Sequence, residues 1–94
     1  ASLVSSLFMI ITYSRGFKKM FRKHSLPIQE KFYERLALFI KDQHSPLLSN
    51  HALNGEWVGC RSINITGDIR AVYEEVDKKH IEFVDIGSHS ELYS

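Results

Sequence analysis

The chain has 94 residues, 44% of them hydrophobic and 24% charged, a composition that fits one small globular domain and excludes both a disordered segment and two independent cores. Its single cysteine, Cys60, excludes a disulfide framework and a zinc site built from several thiolates, and suits a reducing cytoplasm. The net charge of +1 hides an asymmetry: residues 15–41 hold eight Lys and Arg against Glu30 and Glu34, whereas residues 42–94 hold nine acids against Arg61, Arg70, Lys78 and Lys79. The first part is thus suited to face a polyanion.

Residues 1–8 read as an extension or an added remnant, and residues 9–94 as a single domain. The apolar stretch from Leu3 to Tyr13 is shorter than the roughly 20 residues that span a bilayer, and no basic leader precedes it. A non-exported protein without a membrane partner is expected.

Met9 to Tyr13 is rich in β-branched and aromatic residues and reads as a first strand. Ser14 can cap the helix that follows, in which Phe17, Met20, Phe21 and His24 share one side while Lys18, Lys19, Arg22 and Lys23 fall on the others. Pro27 breaks this basic helix and starts a second one, whose stripe of Ile28, Phe32, Leu36, Phe39 and Ile40 runs to about residue 42. Residues 45–55 read as a loop with one helical turn. Strands are expected at Trp57–Ile65 and Asp68–Val76. After a hairpin turn at Asp77–Lys79 comes a fourth at Ile81–Ile86, ended by Gly87, and then a polar tail. The order β-α-α-β-β-β predicts an α+β fold, two N-terminal helices packed on a mainly antiparallel four-stranded sheet.

There is no phosphate-binding glycine loop, no H-E-x-x-H, no Cys/His ligand set and no nucleophile elbow. No metal site and no cofactor is expected, and Cys60 reads as a packing residue in an alternating strand. What remains is a set of polar residues near strand ends and loops: His51, Arg61, Asn64, Asp68, His89, Glu91 and Tyr93. Two imidazoles and a carboxylate can serve proton transfer near neutral pH, one ring as base and the other as acid. Cleavage of RNA by its own 2′-hydroxyl needs such a pair plus a cation to stabilise the phosphorane. By spacing alone, ordinary loop polar residues are the favoured reading.

Three segments carry a resemblance. His51-Ala52-Leu53-Asn54-Gly55-Glu56-Trp57-Val58-Gly59-Cys60-Arg61 resembles the H-x-L-x-G-x-W-x-x-x-R segment of YafQ-like toxins in the RelE/ParE superfamily. Asp68-Ile69-Arg70-Ala71-Val72-Tyr73 is similar to their D-x-x-L-V/I-Y strand, and Gly87-Ser88-His89-Ser90-Glu91-Leu92-Tyr93 to their C-terminal G-[ST]-H-[SA]-x-L-F. The match is close over residues 51–93, and residues 9–45 share only the architecture. The resemblance implies a RelE-like fold and the toxin of a type II toxin–antitoxin pair. Such toxins are ribosome-dependent mRNA endoribonucleases that inhibit translation in the cytoplasm. It implies His89, His51 and Asp68 as catalytic residues. Asn64, Arg61, Tyr93 and Arg70 would be substrate contacts, Tyr93 by stacking on a base. The implied partners are a cognate antitoxin, the ribosome with its mRNA, and operator DNA reached through the antitoxin.

Two positions depart from the family pattern. Asn64 stands where relatives hold an active-site histidine, and Asp85 where they commonly hold an arginine. Asn cannot take a proton at neutral pH, and loss of one phosphorane-stabilising group costs about 10²–10³ in rate. A weakened or inactive toxin homologue that still binds an antitoxin, as a binding module or co-repressor, is therefore the alternative. A hairpin turning at Asp77–Lys78 would set Arg70 opposite Asp85, and Arg70 could then replace the missing cation. A relative acting on DNA gyrase shares the fold but not the His51, Asp68 and His89 set. The basic helices suit either ribosomal RNA or an acidic antitoxin segment.

Overall fold

The computed structural model describes residues 9–93, so the expected extension at residues 1–8 lies outside the described residues. In chain order the elements are β1 (Ile10–Tyr13), α1 (Arg15–Lys23), α2 (Leu26–Lys41), β2 (His51–Ala52), β3 (Cys60–Asn64), β4 (Ile69–Asp77), β5 (His80–Ser88) and α3 (His89–Tyr93). Short 3₁₀ turns occupy Pro46–Leu48 and Gly55–Trp57.

The helix boundaries follow local chemistry. Ser14 caps α1 by accepting a hydrogen bond from the Phe17 N–H at 3.0 Å, and its own hydroxyl donates to the Val84 carbonyl of β5. Pro27 sits in the first turn of α2, where its missing N–H costs nothing. The Gln29 amide, one turn into α2, donates to the carbonyls of Phe21 and His24 and so closes the end of α1.

The fold is α+β as expected, but the sheet has five strands in the order β1-β5-β4-β3-β2 and is mixed. β1 runs parallel to β5, and the other neighbours are antiparallel. The expected four-stranded sheet lacked β2, because a two-residue strand has no periodicity to detect. Trp57 belongs to a 3₁₀ turn and not to the third strand. The last strand passes through Gly87 to Ser88, and the expected polar tail folds as α3.

Alternation along β3, β4 and β5 sends Ile63, Ala71, Tyr73, Ile81, Phe83 and Ile86 to the face covered by α1 and α2, where they pack with Phe17, Phe32 and Phe39. Phe83 is fully buried at the centre, with the rings of Tyr13, Phe17, Phe32, Phe39 and Tyr73 at 5.3–6.1 Å. An aromatic core of this kind concentrates buried area in few residues, which a short chain needs.

Register decides the fate of Asp85. The hairpin turns at Lys78–Lys79, with Asp77 Oδ1 accepting the Lys79 N–H at 2.9 Å. Arg70 consequently pairs with Gly87, and Asp85 with Val72. This corrects the expected pairing of Arg70 with Asp85. The pairing shifts between Val72 and Tyr73, where Val84 is the extra residue in β5, so Phe83 and Ile86 both face the core although three residues apart. Without that bulge, simple alternation from Phe83 would turn Asp85 into the core.

Among the described residues no helix is long and apolar enough to cross a membrane.

Candidate active site

The sheet face away from α1 and α2 carries an open pocket of about 410 Å³ lined by His51, Ala52, Leu53, Asn54, Arg70, His89 and Tyr93. These residues come from β2 and its following loop, from β4 and from α3. No carboxylate lines the pocket. Although residues 42–94 are acidic overall, the concave surface they build presents a guanidinium and two imidazoles.

His51 is exposed and held from behind: its Nδ1 lies 2.9 Å from the Ser49 carbonyl. A carbonyl can only accept, so the proton of the neutral ring sits on Nδ1 and the Nε2 lone pair is left for chemistry. Ser49 itself is left-handed (φ 46°) at the end of the 3₁₀ turn. Asn50, next to it, is tied down on all sides. Its amide donates to the Tyr73 hydroxyl at 2.7 Å and to the Gln43 carbonyl at 3.0 Å, and its oxygen accepts from Arg61 Nε at 2.8 Å. This network fixes the chain immediately before His51.

The same network accounts for Arg61. Alternation in β3 separates Arg61 from Asn64, and Arg61 pairs with core-facing Tyr73. Its guanidinium is engaged with Asn50 and does not line the pocket. Asn64 pairs with Arg70 across the strands, and Arg70 Nη1 donates to Asn64 Oδ1. The asparagine thus orients the pocket's guanidinium from outside the lining. Asp68 lies exposed in the β3–β4 turn, its N–H donating to Thr66 Oγ1, and is likewise outside the lining.

His89 and Tyr93 are one helical turn apart on α3, their ring centroids 4.7 Å apart in an edge-on arrangement. Two features place this short helix. Ser88 Oγ accepts the Glu91 N–H at 3.2 Å while Glu91 Oε1 accepts the Ser88 N–H at 2.7 Å, a reciprocal capping box. At the other end, the Trp57 indole N–H donates to the Leu92 carbonyl at 2.9 Å. Those bonds from Ser88 hold the Glu91 carboxyl below the usual glutamate range. The S-x-x-E signature of a capping box was present in the sequence at Ser88–Glu91 and could have revealed the helix. The anchoring role of Asn50 had no comparable signal.

Asp85 is half-buried outside the pocket lining, its carboxylate accepting the N–H of Ile86 at 2.8 Å. Burial raises its carboxyl above the usual aspartate range; the Ile86 N–H opposes this, Glu91 adds to it, and His24 opposes it. The Cys60 thiol is half-exposed, and burial, then Glu74, push it above its usual value. Among the described residues no group of His, Cys, Asp and Glu could hold a metal ion.

Residues 9–94 match the family model for the bacterial toxin of the type II toxin–antitoxin system, YafQ. The chain belongs to the YafQ toxin family. Solved structures with the same fold include YafQ from E. coli strain BL21(DE3), 22% identical with a TM-score of 0.74, covering 92% of this chain and 99% of that one. A metal-bound toxin from Helicobacter pylori is 25% identical with a TM-score of 0.67, covering 92% and 100%. The E. coli DinJ-YafQ complex is matched at 23% identity and a TM-score of 0.72, covering 92% and 99%. A comparison with curated proteins gives no match. In this member of the YafQ family Asn64 pairs with Arg70 and Asp85 with Val72.

Proposed function

We propose that this toxin is a metal-independent, ribosome-dependent endoribonuclease that cleaves mRNA in the cytoplasm, with residues 9–94 as its single functional unit and a cognate antitoxin as its inhibitor. The observation that carries this reading is the convergence of His51, His89 and Arg70 on one open pocket that no carboxylate lines.

The chemistry follows from those groups. His51 Nε2 takes the proton of the RNA 2′-hydroxyl, and the 2′-oxygen attacks the adjacent phosphorus. Arg70, steadied by Asn64, stabilises the pentacoordinate dianion. His89, as imidazolium, gives its proton to the departing 5′-oxygen. The products are a 2′,3′-cyclic phosphate and a free 5′-hydroxyl, with one proton taken and one given. Tyr93 offers a stacking surface to a neighbouring base. Asp68 would act from the β3–β4 turn, outside the pocket lining, and Arg61 through Asn50.

The second reading, a weakened toxin that serves as an antitoxin-binding co-repressor contacting operator DNA through its partner, is favoured by Asp85, which is an acid where relatives commonly hold a cation. Arg70 in the pocket speaks for retained activity. Primer extension on translated mRNA after induction tests the choice. Cuts within codons that vanish with His89→Ala support the nuclease; an intact message and unchanged protein synthesis would overturn it.

A further inference from the structure

A second cavity, of about 270 Å³, opens on the opposite side of the molecule, lined by Tyr13, Phe17, Lys18, Phe21, Arg22 and Tyr33. It lies between β1, α1 and α2, at the far edge of the sheet from β2. The catalytic reading makes no use of it, and its floor is the outer side of the core, with the buried Phe17 and the partly buried Tyr13 and Phe21.

Its wall is aromatic. Tyr13, Phe17 and Phe21 form a stacked run, with centroids 5.3 and 5.6 Å apart and planes within 27° and 21°. Tyr33 stands edge-on to Phe21 at 5.6 Å and leaves 56% of its surface in solvent. Its ring is therefore open to a stacking ligand, and it stands beside the cations of α1. Burial, and then the neighbouring Tyr33, push the Tyr13 hydroxyl above its usual value, so the Tyr13 phenol stays a neutral donor and acceptor.

Its rim is cationic. Lys18 and Arg22 are one turn apart on α1, which also carries Arg15, Lys19 and Lys23 and no acid. Among the described residues the sole ion pair joins Lys31 to Glu34 in α2, so the charge of α1 is uncompensated. The exposed ring of Tyr33 beside unpaired cations matches one chemistry closely: a base with its flanking phosphates. An acidic peptide would satisfy the cations, whereas a nucleotide brings its charge and a flat stacking face in one unit.

We propose that this cavity is a subsite for a base splayed from a single-stranded or looped RNA, stacked against Tyr33 with its phosphates on Lys18 and Arg22. The site is separate from the pocket of His51 and His89, so RNA held there is a docking strand and not the strand being cut. It does not depend on the chain being a nuclease.

Fluorescence anisotropy tests it, using the full chain with His89→Ala and Arg70→Ala, which remove cleavage and weaken the other pocket. The probe is a labelled single-stranded RNA, compared with the same oligonucleotide made abasic. Tyr33→Ala should weaken binding of the intact RNA by about five- to fifty-fold, Tyr33→Phe should restore it, and abasic RNA should lose the same factor only when Tyr33 is present. Lys18→Ala with Arg22→Ala should flatten the salt dependence by about one phosphate contact each. Tyr33 is exposed, so circular dichroism should show an unchanged fold. Equal binding by intact and abasic RNA, or no effect of Tyr33→Ala, would overturn the proposal. So would a glutamate-rich peptide that binds as tightly as RNA and loses as much with Tyr33→Ala.

Discussion

Ser88 and Glu91 cap one another at the start of α3, the side chain of each accepting the backbone N–H of the other. Those bonds orient the helix that carries His89 and Tyr93. Glu91→Ala should destabilise the protein by about 1 kcal/mol and slow cleavage by about ten- to a hundred-fold, because a small misplacement of a proton donor is costly. Glu91→Gln should preserve both, since the amide oxygen still accepts. Thermal melting and single-turnover cleavage check the pair.

The cap also has a pH signature. The Glu91 carboxyl is held below the ordinary glutamate range in the fold, so its stabilisation is complete above that range and is lost as pH falls through the lowered value. Melting of the wild type in acid should therefore show a loss that Glu91→Gln does not share.

Gly87 leaves room for this arrangement. A Cβ there would lie 3.0 Å from Glu91 Oε1 and 3.4 Å from its Cβ. Gly87→Ala should push the flexible carboxylate out of the cap and reproduce most of the Glu91→Ala loss in cleavage, at a stability cost of about 1 kcal/mol. Wild-type activity in a well-folded Gly87→Ala protein would show that the cap does not set His89.

Two arginines should separate cleanly. Arg70 lines the pocket, and Arg70→Ala should lower kcat/KM by about 10²–10³ with the melting temperature nearly unchanged. Arg61 is bound to Asn50 on the core side, and Arg61→Ala should cost about 1–3 kcal/mol of stability with a smaller loss of activity, since it frees the segment before His51. Chemical denaturation and cleavage kinetics on both variants decide this.

Asp85 should be a stability burden at neutral pH. Its carboxyl is raised by burial, so the fold favours the protonated form and stability declines as pH rises from the ordinary aspartate value to the raised one. Asp85→Asn should raise stability at pH 7 by less than about 1 kcal/mol, because the group is only partly buried. The gain should disappear in acid, where wild-type Asp85 is itself neutral. Denaturation curves at several pH values test the sign.

The residues that sequence reading brought together and those the fold brought together overlap but differ. His51, His89, Arg70 and Tyr93 share the pocket. Asp68 and Arg61 were drawn in by motif, yet β3 alternation turns Arg61 to the core side and the β3–β4 turn holds Asp68 in solvent. The expectation that Arg70 would face Asp85 failed by two residues, because the turn centres on Lys78–Lys79.

The sequence by itself determined the local events: the Ser14 cap, the break at Pro27, the aromatic stripe of α2, the alternation of β4 and, in its three motifs, the toxin family. Each depends on residues within a few positions of one another, where propensity and hydrogen-bonding chemistry act directly. Tertiary structure alone decided the parallel pairing of β1 with β5, the bulge at Val84 and the Asn50 network. It also decided the meeting of β2, β4 and α3 around one cationic hollow. Those features depend on register between strands distant in sequence, which one displaced turn or one extra residue changes without altering any local pattern.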